Sequence, residues 1–132
     1  MENFLAPWRP QLLSILRIMA GLLLTVHGTA KLLAFPIHPP FNSVPSGSPS
    51  WYAAFFEIIL GPLLAIGLFT RPVAFILAGL CAVAYFYAHA PRSFYPLVNG
   101  GELAVLYSFV LIYIAAAGAG PWSVDAAVRN KP

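Results

Sequence analysis

The sequence predicts an all-α fold, a transmembrane four-helix bundle, and three observations predict it. Hydrophobic residues make up 60% of the 132-residue chain and charged residues only 8%, against roughly a quarter charged in a soluble domain. The apolar residues fall into four continuous runs, each near the ~20 residues that cross ~30 Å of hydrocarbon at 1.5 Å per residue. Proline, glycine and serine punctuate the gaps between the runs and mark them as turns and loops. A membrane β-barrel is excluded, because its strands are short and alternate apolar with polar residues.

The four spans are expected at about 12–35, 51–69, 72–90 and 102–118, within a single membrane domain covering 1–132. Pro36, Pro39 and Pro40 stop the first span, and the Pro/Ser/Gly-rich stretch 36–50 is a loop. Thr70-Arg71-Pro72 is so short a connection that spans two and three form a tight antiparallel hairpin, with Pro72 suited to the first helical position. Pro91 and Pro96 break the chain after span three, and Asn99-Gly100-Gly101 turns it into span four. Gly118-Ala119-Gly120-Pro121 closes span four and leaves a tail of 119–132. The first run is too long for a signal-peptide core and carries His27 and Lys31 near its far end, so it is expected to be retained.

The positive residues give the orientation. Arg9, Arg71, Arg129 and Lys131 fall on one side of the membrane, and the opposite loops carry only Arg92 beyond the helix ends. The positive-inside rule then places both termini in the cytoplasm. Trp8, Trp51 and Trp122 fall at the expected interfaces, where aromatic belts lie. The net charge of +3 comes from scattered helix-end residues, so a nucleic-acid partner is not expected. Cys81 is the one cysteine. It stands among Leu80, Ala82 and Val83, so it is read as a small packing residue, and thiol–disulfide chemistry by this chain alone is not expected.

Ionisable side chains inside spans are costly, so each one needs a reason. On the first helix Arg17, His27 and Lys31 fall within an arc of roughly 80° at 100° per residue, which gives one polar face turned into the bundle. Gly21 and Gly28 on the same helix allow a neighbour to approach closely. The alternating topology gathers His27, Lys31, Glu57, His89, Asn99 and Glu102 into the outer half of one small bundle. These six are the candidate ligand-binding residues, with Arg17, Arg71 and Tyr107 as further candidates. Arg17 and Arg71 also lie where a long cationic side chain reaches headgroups, and Lys31 and Glu102 where they snorkel to the interface. No catalytic residue is assigned. A metal site is not expected, because His27, Glu57, His89 and Glu102 lie on different helices and no ligand-spacing motif joins them. Gly-x-Gly-x-x-Gly, P-loop and Gly-x-Ser-x-Gly motifs are absent from the sequence.

Several stretches, in order, carry a family resemblance. They are Leu16-Arg17-Ile18 with Gly21, then His27-Gly28 with Lys31, then Glu57, Gly61, Leu64 and Gly67 leading into Thr70-Arg71. Asn99-Gly100-Gly101-Glu102 follows with Ala104, Leu106 and Tyr107, and last comes Gly120-Pro121 with Ser123-Val124-Asp125. With these, the chain resembles the DoxX family of small four-span membrane proteins. The resemblance implies kinship with a thiosulfate:quinone oxidoreductase membrane subunit and with redox-stress complexes of bacterial membranes. It gives positions for the polar residues and no settled mechanism. The long Pro-rich first loop departs from the commoner pattern and is placed to cover the outer pocket or dock a partner.

Three functions fit these residues. The first is a quinone-linked redox or redox-stress subunit with a polar pocket in the outer half of the bundle. The chain itself carries no cofactor motif, so a soluble or membrane redox partner supplies the electrons and quinone is the expected ligand. The second is a small-solute transporter, which four spans support only as a homo-oligomer. The third is a scaffold or assembly factor whose charges only pair with one another. Beyond the lipid bilayer itself, the partners are a redox protein or further copies of the chain.

Overall fold

A computed structural model gives the fold and describes residues 2–130. Lys131, one of the residues that set the orientation, lies outside the described residues. Four long helices run up, down, up and down: α1 (Arg9–Leu33), α2 (Pro49–Ile66), α3 (Thr70–Ala84) and α4 (Glu102–Ala117). A short α5 (Val124–Val128) follows. α1 is preceded by a short helical stretch, so that 3–33 forms one 31-residue apolar segment. α3 continues through a π-helical turn at Tyr85–His89, and the short helices Pro39–Asn42 and Pro96–Asn99 sit in the two long loops. Among the described residues, three segments are long and apolar enough to cross a bilayer by themselves, and α4 is a shorter apolar helix of 16 residues.

The helix limits follow from local chemistry. α1 starts three residues earlier than expected and stops at Leu33, because Ala34 turns into the left-handed region (φ 53°) ahead of Pro36. α2 ends at Ile66, short of 69. Gly67 (φ 74°) closes it with a Schellman cap, in which the Gly67 N–H donates to Leu63 and Leu64 and the Leu68 N–H donates to Leu63 at 3.0 Å. α3 starts at Thr70 and not at Pro72, because a side chain from the tail caps its first N–H groups.

The first and second helices meet along glycine. A Cβ on Gly21 would lie 2.5 Å from the Ala65 nitrogen, and one on Gly28 would lie 2.8 Å from the Ile58 nitrogen. The backbones therefore touch where the small residues predict close approach. α3 and α4 form a second tight pair, and the two pairs pack more loosely on each other. The core runs along the bundle axis through Leu24, Leu64, Leu77, Leu111 and Ile114. Outside it, large apolar side chains such as Met19, Leu22, Ile59, Phe75 and Phe109 stand exposed. Such a surface belongs in lipid, where exposed apolar side chains carry no hydration penalty. The fold is thus a transmembrane helical bundle.

Candidate functional site

The start of α1 and the short α5 lie at one end of the bundle (the termini end), together with the α2–α3 turn. The other end carries the two long loops (the loop end). A cavity of about 490 Å³ lies in the loop-end half of the bundle. Its inner wall holds Leu24, His27 and Lys31 of α1, Glu57 of α2, Cys81 of α3 and Tyr107 of α4. Phe41 of the first loop and Pro49, the first residue of α2, also line it.

Lys31 and Glu57 lie deep in this wall. The Lys31 Nζ donates to both carboxylate oxygens, at 2.9 Å and 3.0 Å, with both side chains about nine-tenths buried. Such a pair forms because neither charge can stand alone in an apolar bundle. The His27 ring packs edge-on to Tyr107 at 6.5 Å and tilted against Phe41 at 5.2 Å. Phe41 stacks in turn on His38, and the Lys31 Nζ lies 5.6 Å from the Phe41 ring. The loop is tied to α1 by the Asn42 amide, which donates to the Ala30 carbonyl at 2.9 Å.

Of the residues singled out from the sequence, the structure brings His27, Lys31, Glu57, His89 and Tyr107 to the cavity. His89 stands at its rim, where its Nδ1–H donates to the Asn99 carbonyl at 3.1 Å. Asn99 is buried but turned into its own loop. Its amide donates to the Ser93 carbonyl and the Tyr85 hydroxyl, and its oxygen accepts from the Gly101 N–H at 2.8 Å. Asn99 thus builds the turn that starts α4. Glu102 does not join the group: it is exposed and lines a separate shallow depression with Pro96, Leu97 and Leu106. The cavity face of α4 is Leu103, Ala104 and Tyr107, a helical stripe that leaves Glu102 on another side. Cys81 and Phe41 are cavity residues that the sequence reading left as packing and loop.

Arg17 and Arg71 belong to the termini end and touch neither the cavity nor its lining. Arg17 is fully buried, against the expectation that it reaches headgroups. Its guanidinium donates to the carbonyls of Ala119 (2.8 Å), Leu64 (2.9 Å), Ala65 and Trp122. One side chain therefore satisfies the open carbonyls at the end of α2 and ties them to the segment after α4. Arg71 does the same for α4, donating to Ala115 and Ala116 while staying exposed.

Asp125 completes this end. Its carboxylate accepts from the Phe69 and Thr70 N–H groups, both at 2.9 Å, and its own N–H donates to the Gly67 carbonyl at 2.9 Å. Burial pushes this carboxyl up, but the two N–H groups and the Arg129 guanidinium outweigh it and hold Asp125 below the ordinary carboxylate range. Arg129 lies 3.6 Å from the carboxylate and also stacks over the Phe69 ring. No sequence motif announces this cap, because its acceptor lies 55 residues from the N–H groups it serves.

These features define a small helical membrane protein with a bolted end and an amphipathic cavity at the other. The DoxX family model matches residues 12–90, and the chain belongs to that family. It is 42% identical over 127 residues to an uncharacterised protein of Haemophilus influenzae, an alignment that covers 93% of this chain and 95% of that one. A second uncharacterised protein of Haemophilus influenzae is 33% identical over 92 residues, covering 69% of this chain and 60% of the other. No solved structure matches the chain. Among the described residues, no three His, Cys, Asp or Glu side chains gather as metal ligands.

Proposed function

We propose that this protein is a quinone-linked redox or redox-stress subunit of a bacterial inner membrane, and that the loop-end cavity binds the quinone head group. One observation carries this reading: a largely apolar cavity of about 490 Å³ has hydrogen-bonding side chains on its inner wall and apolar side chains at its mouth. That volume lies within the range of small-molecule sites. The lining fits a ring with two carbonyl oxygens and an apolar tail, because His27, Lys31 and Tyr107 offer donors inside while Phe56 and Val83 line the outer wall.

A bound quinone supplies a carrier for two electrons and two protons, and a partner protein supplies the electrons. The chain's own residues orient the ring and exclude water. Lys31 Nζ holds the Glu57 carboxylate in place, and the His27 imidazole beside Tyr107 offers a ring N–H to a ligand oxygen. The whole chain acts as one domain: α4 completes the cavity, and α5 closes the α2–α3 turn. Arg9, Arg71 and Arg129 cluster at the termini end, which supports cytoplasmic termini under the positive-inside rule.

A scaffold without chemistry is the second reading, favoured by the mutual satisfaction of Lys31 and Glu57. A thermal-shift series of the detergent-purified protein against a quinone panel, repeated on Glu57→Gln, separates the two. Stabilisation by quinone that disappears in the variant supports the redox subunit. No shift, with a variant that melts lower, supports the scaffold.

A further inference from the structure

We propose, building on the reading of the cavity as a quinone-type site, that it selects an uncharged amphiphile drawn sideways from the lipid, with Tyr107 and His27 as the residues that recognise its oxygen. Three observations converge on this. First, the wall carries no net charge from its acids and bases. Lys31 and Glu57 are the one lysine and the one acid in the lining, and they are bound to each other. They cancel whichever of them holds the proton. A small anion entering this apolar space would lose its hydration with no unpaired lysine or arginine in the lining to meet it.

Second, the donors left over are not the charged pair. Tyr107 is 8% exposed and lines the cavity, and its hydroxyl finds no hydrogen-bond partner among the described residues. A hydroxyl left free beside a cavity is open to a ligand or to water. The His27 ring lies edge-on to Tyr107, and its nitrogens likewise have no partner among the described residues. A carbonyl oxygen in the cavity can accept from the Tyr107 hydroxyl or from a His27 ring N–H.

Third, the mouth faces sideways. Tyr52 and Phe56 of α2 and Val83 and Tyr87 of α3 line the cavity and are also 57%, 48%, 65% and 62% exposed. These are the apolar and aromatic side chains that a transmembrane bundle turns towards lipid. On the loop-end side, Phe41 of the first loop is part of the lining. The open route therefore runs between α2 and α3, at the seam where the two tight helix pairs meet.

Isothermal titration of the detergent-solubilised full chain with ubiquinone-1, and separately with sodium thiosulfate, tests this on wild type, Tyr107→Phe and Val83→Trp. Circular dichroism melting checks that each variant folds. Val83 is exposed, so tryptophan there narrows the mouth without overfilling the core. Wild type is expected to bind ubiquinone-1 and not thiosulfate. Tyr107→Phe should weaken ubiquinone-1 binding about fivefold, the size of one lost hydrogen bond, and Val83→Trp should weaken it further. Quinone binding that is unchanged in both variants leaves the quinone site standing and overturns this inference. Thiosulfate binding to wild type also overturns it. No quinone binding to wild type overturns the quinone reading itself, and this inference with it.

Discussion

At the termini end, Arg17, Arg71 and Asp125 all turn their side chains onto backbone groups: four carbonyls, two carbonyls and two N–H groups respectively. At the loop end, Lys31 and Glu57 turn onto each other, while His27 and Tyr107 turn into a cavity. Both ends face the same problem, polar groups in an apolar medium, and solve it differently. Backbone groups are fixed, so side chains bound to them lock the helix ends together. A side-chain pair beside a cavity leaves room for something else. The comparison teaches that residue type alone does not mark a site. Arg17 is the most deeply buried charge of all, yet it belongs to the frame.

The sharpest way to break this comparison is Arg17→Leu. It strips four buried carbonyls of a charged donor, and unfolding in detergent should show a loss of about 3 kcal/mol or more. A loss below 1 kcal/mol, by the same unfolding curves, would mean that the carbonyls find other partners and that this end is not bolted. Next in size is Gly21→Leu, which forces α1 away from the Ala65 backbone. It should cost about 1–3 kcal/mol, the range for overpacking, and loosen both ends, since the glycine seam runs between them. A melting curve as high as wild type would show that the seam can yield.

Asp125→Asn keeps the size of the cap and removes its charge, and should cost about 1 kcal/mol, as other helix caps do. The pH dependence of the wild type has a definite sign here. Folding holds the Asp125 carboxyl below its ordinary value, so its contribution is fully present above the ordinary carboxylate range of about 4. It is lost as pH falls through the lowered folded value. Melting temperatures of wild type should therefore converge on those of Asp125→Asn at acid pH, and parallel curves would contradict the cap. The smallest effect belongs to Glu102→Gln, which sits outside the cavity. Its stability should stay within about 0.5 kcal/mol of wild type, and its quinone shift should match.

Much of the frame was legible in the sequence. Continuous apolar runs gave the four helices, and the prolines and glycines gave their connections to within a few residues. Gly21 and Gly28 announced the close seam. Topology brought Lys31 and Glu57 to the loop end, because helices one and two run antiparallel, but it left open whether Glu57 or Glu102 is the partner of Lys31. Arg17 was legible as a buried polar face but not as a bolt, because its partners are carbonyls up to 105 residues away and carbonyls leave no trace in a sequence. Asp125 stood in a family motif with no visible role for the same reason. Glu102 was assigned by its position at the end of a span. Helical periodicity could have corrected it: Leu103, Ala104 and Tyr107 share the cavity face, and Glu102 falls outside that stripe. Phe41 lay in a segment read only as loop, where no period exists to say which side chain turns inward.

The division of labour between the two ends is tested most directly by one thermal-shift experiment on Asp125→Asn and Glu57→Gln, each with and without ubiquinone-1. The account predicts that Asp125→Asn melts lower than wild type yet keeps the full quinone-induced shift. It predicts that Glu57→Gln, which leaves Lys31 uncancelled in the cavity wall, loses that shift. A shift that vanishes in Asp125→Asn, or one that survives intact in Glu57→Gln, would contradict it.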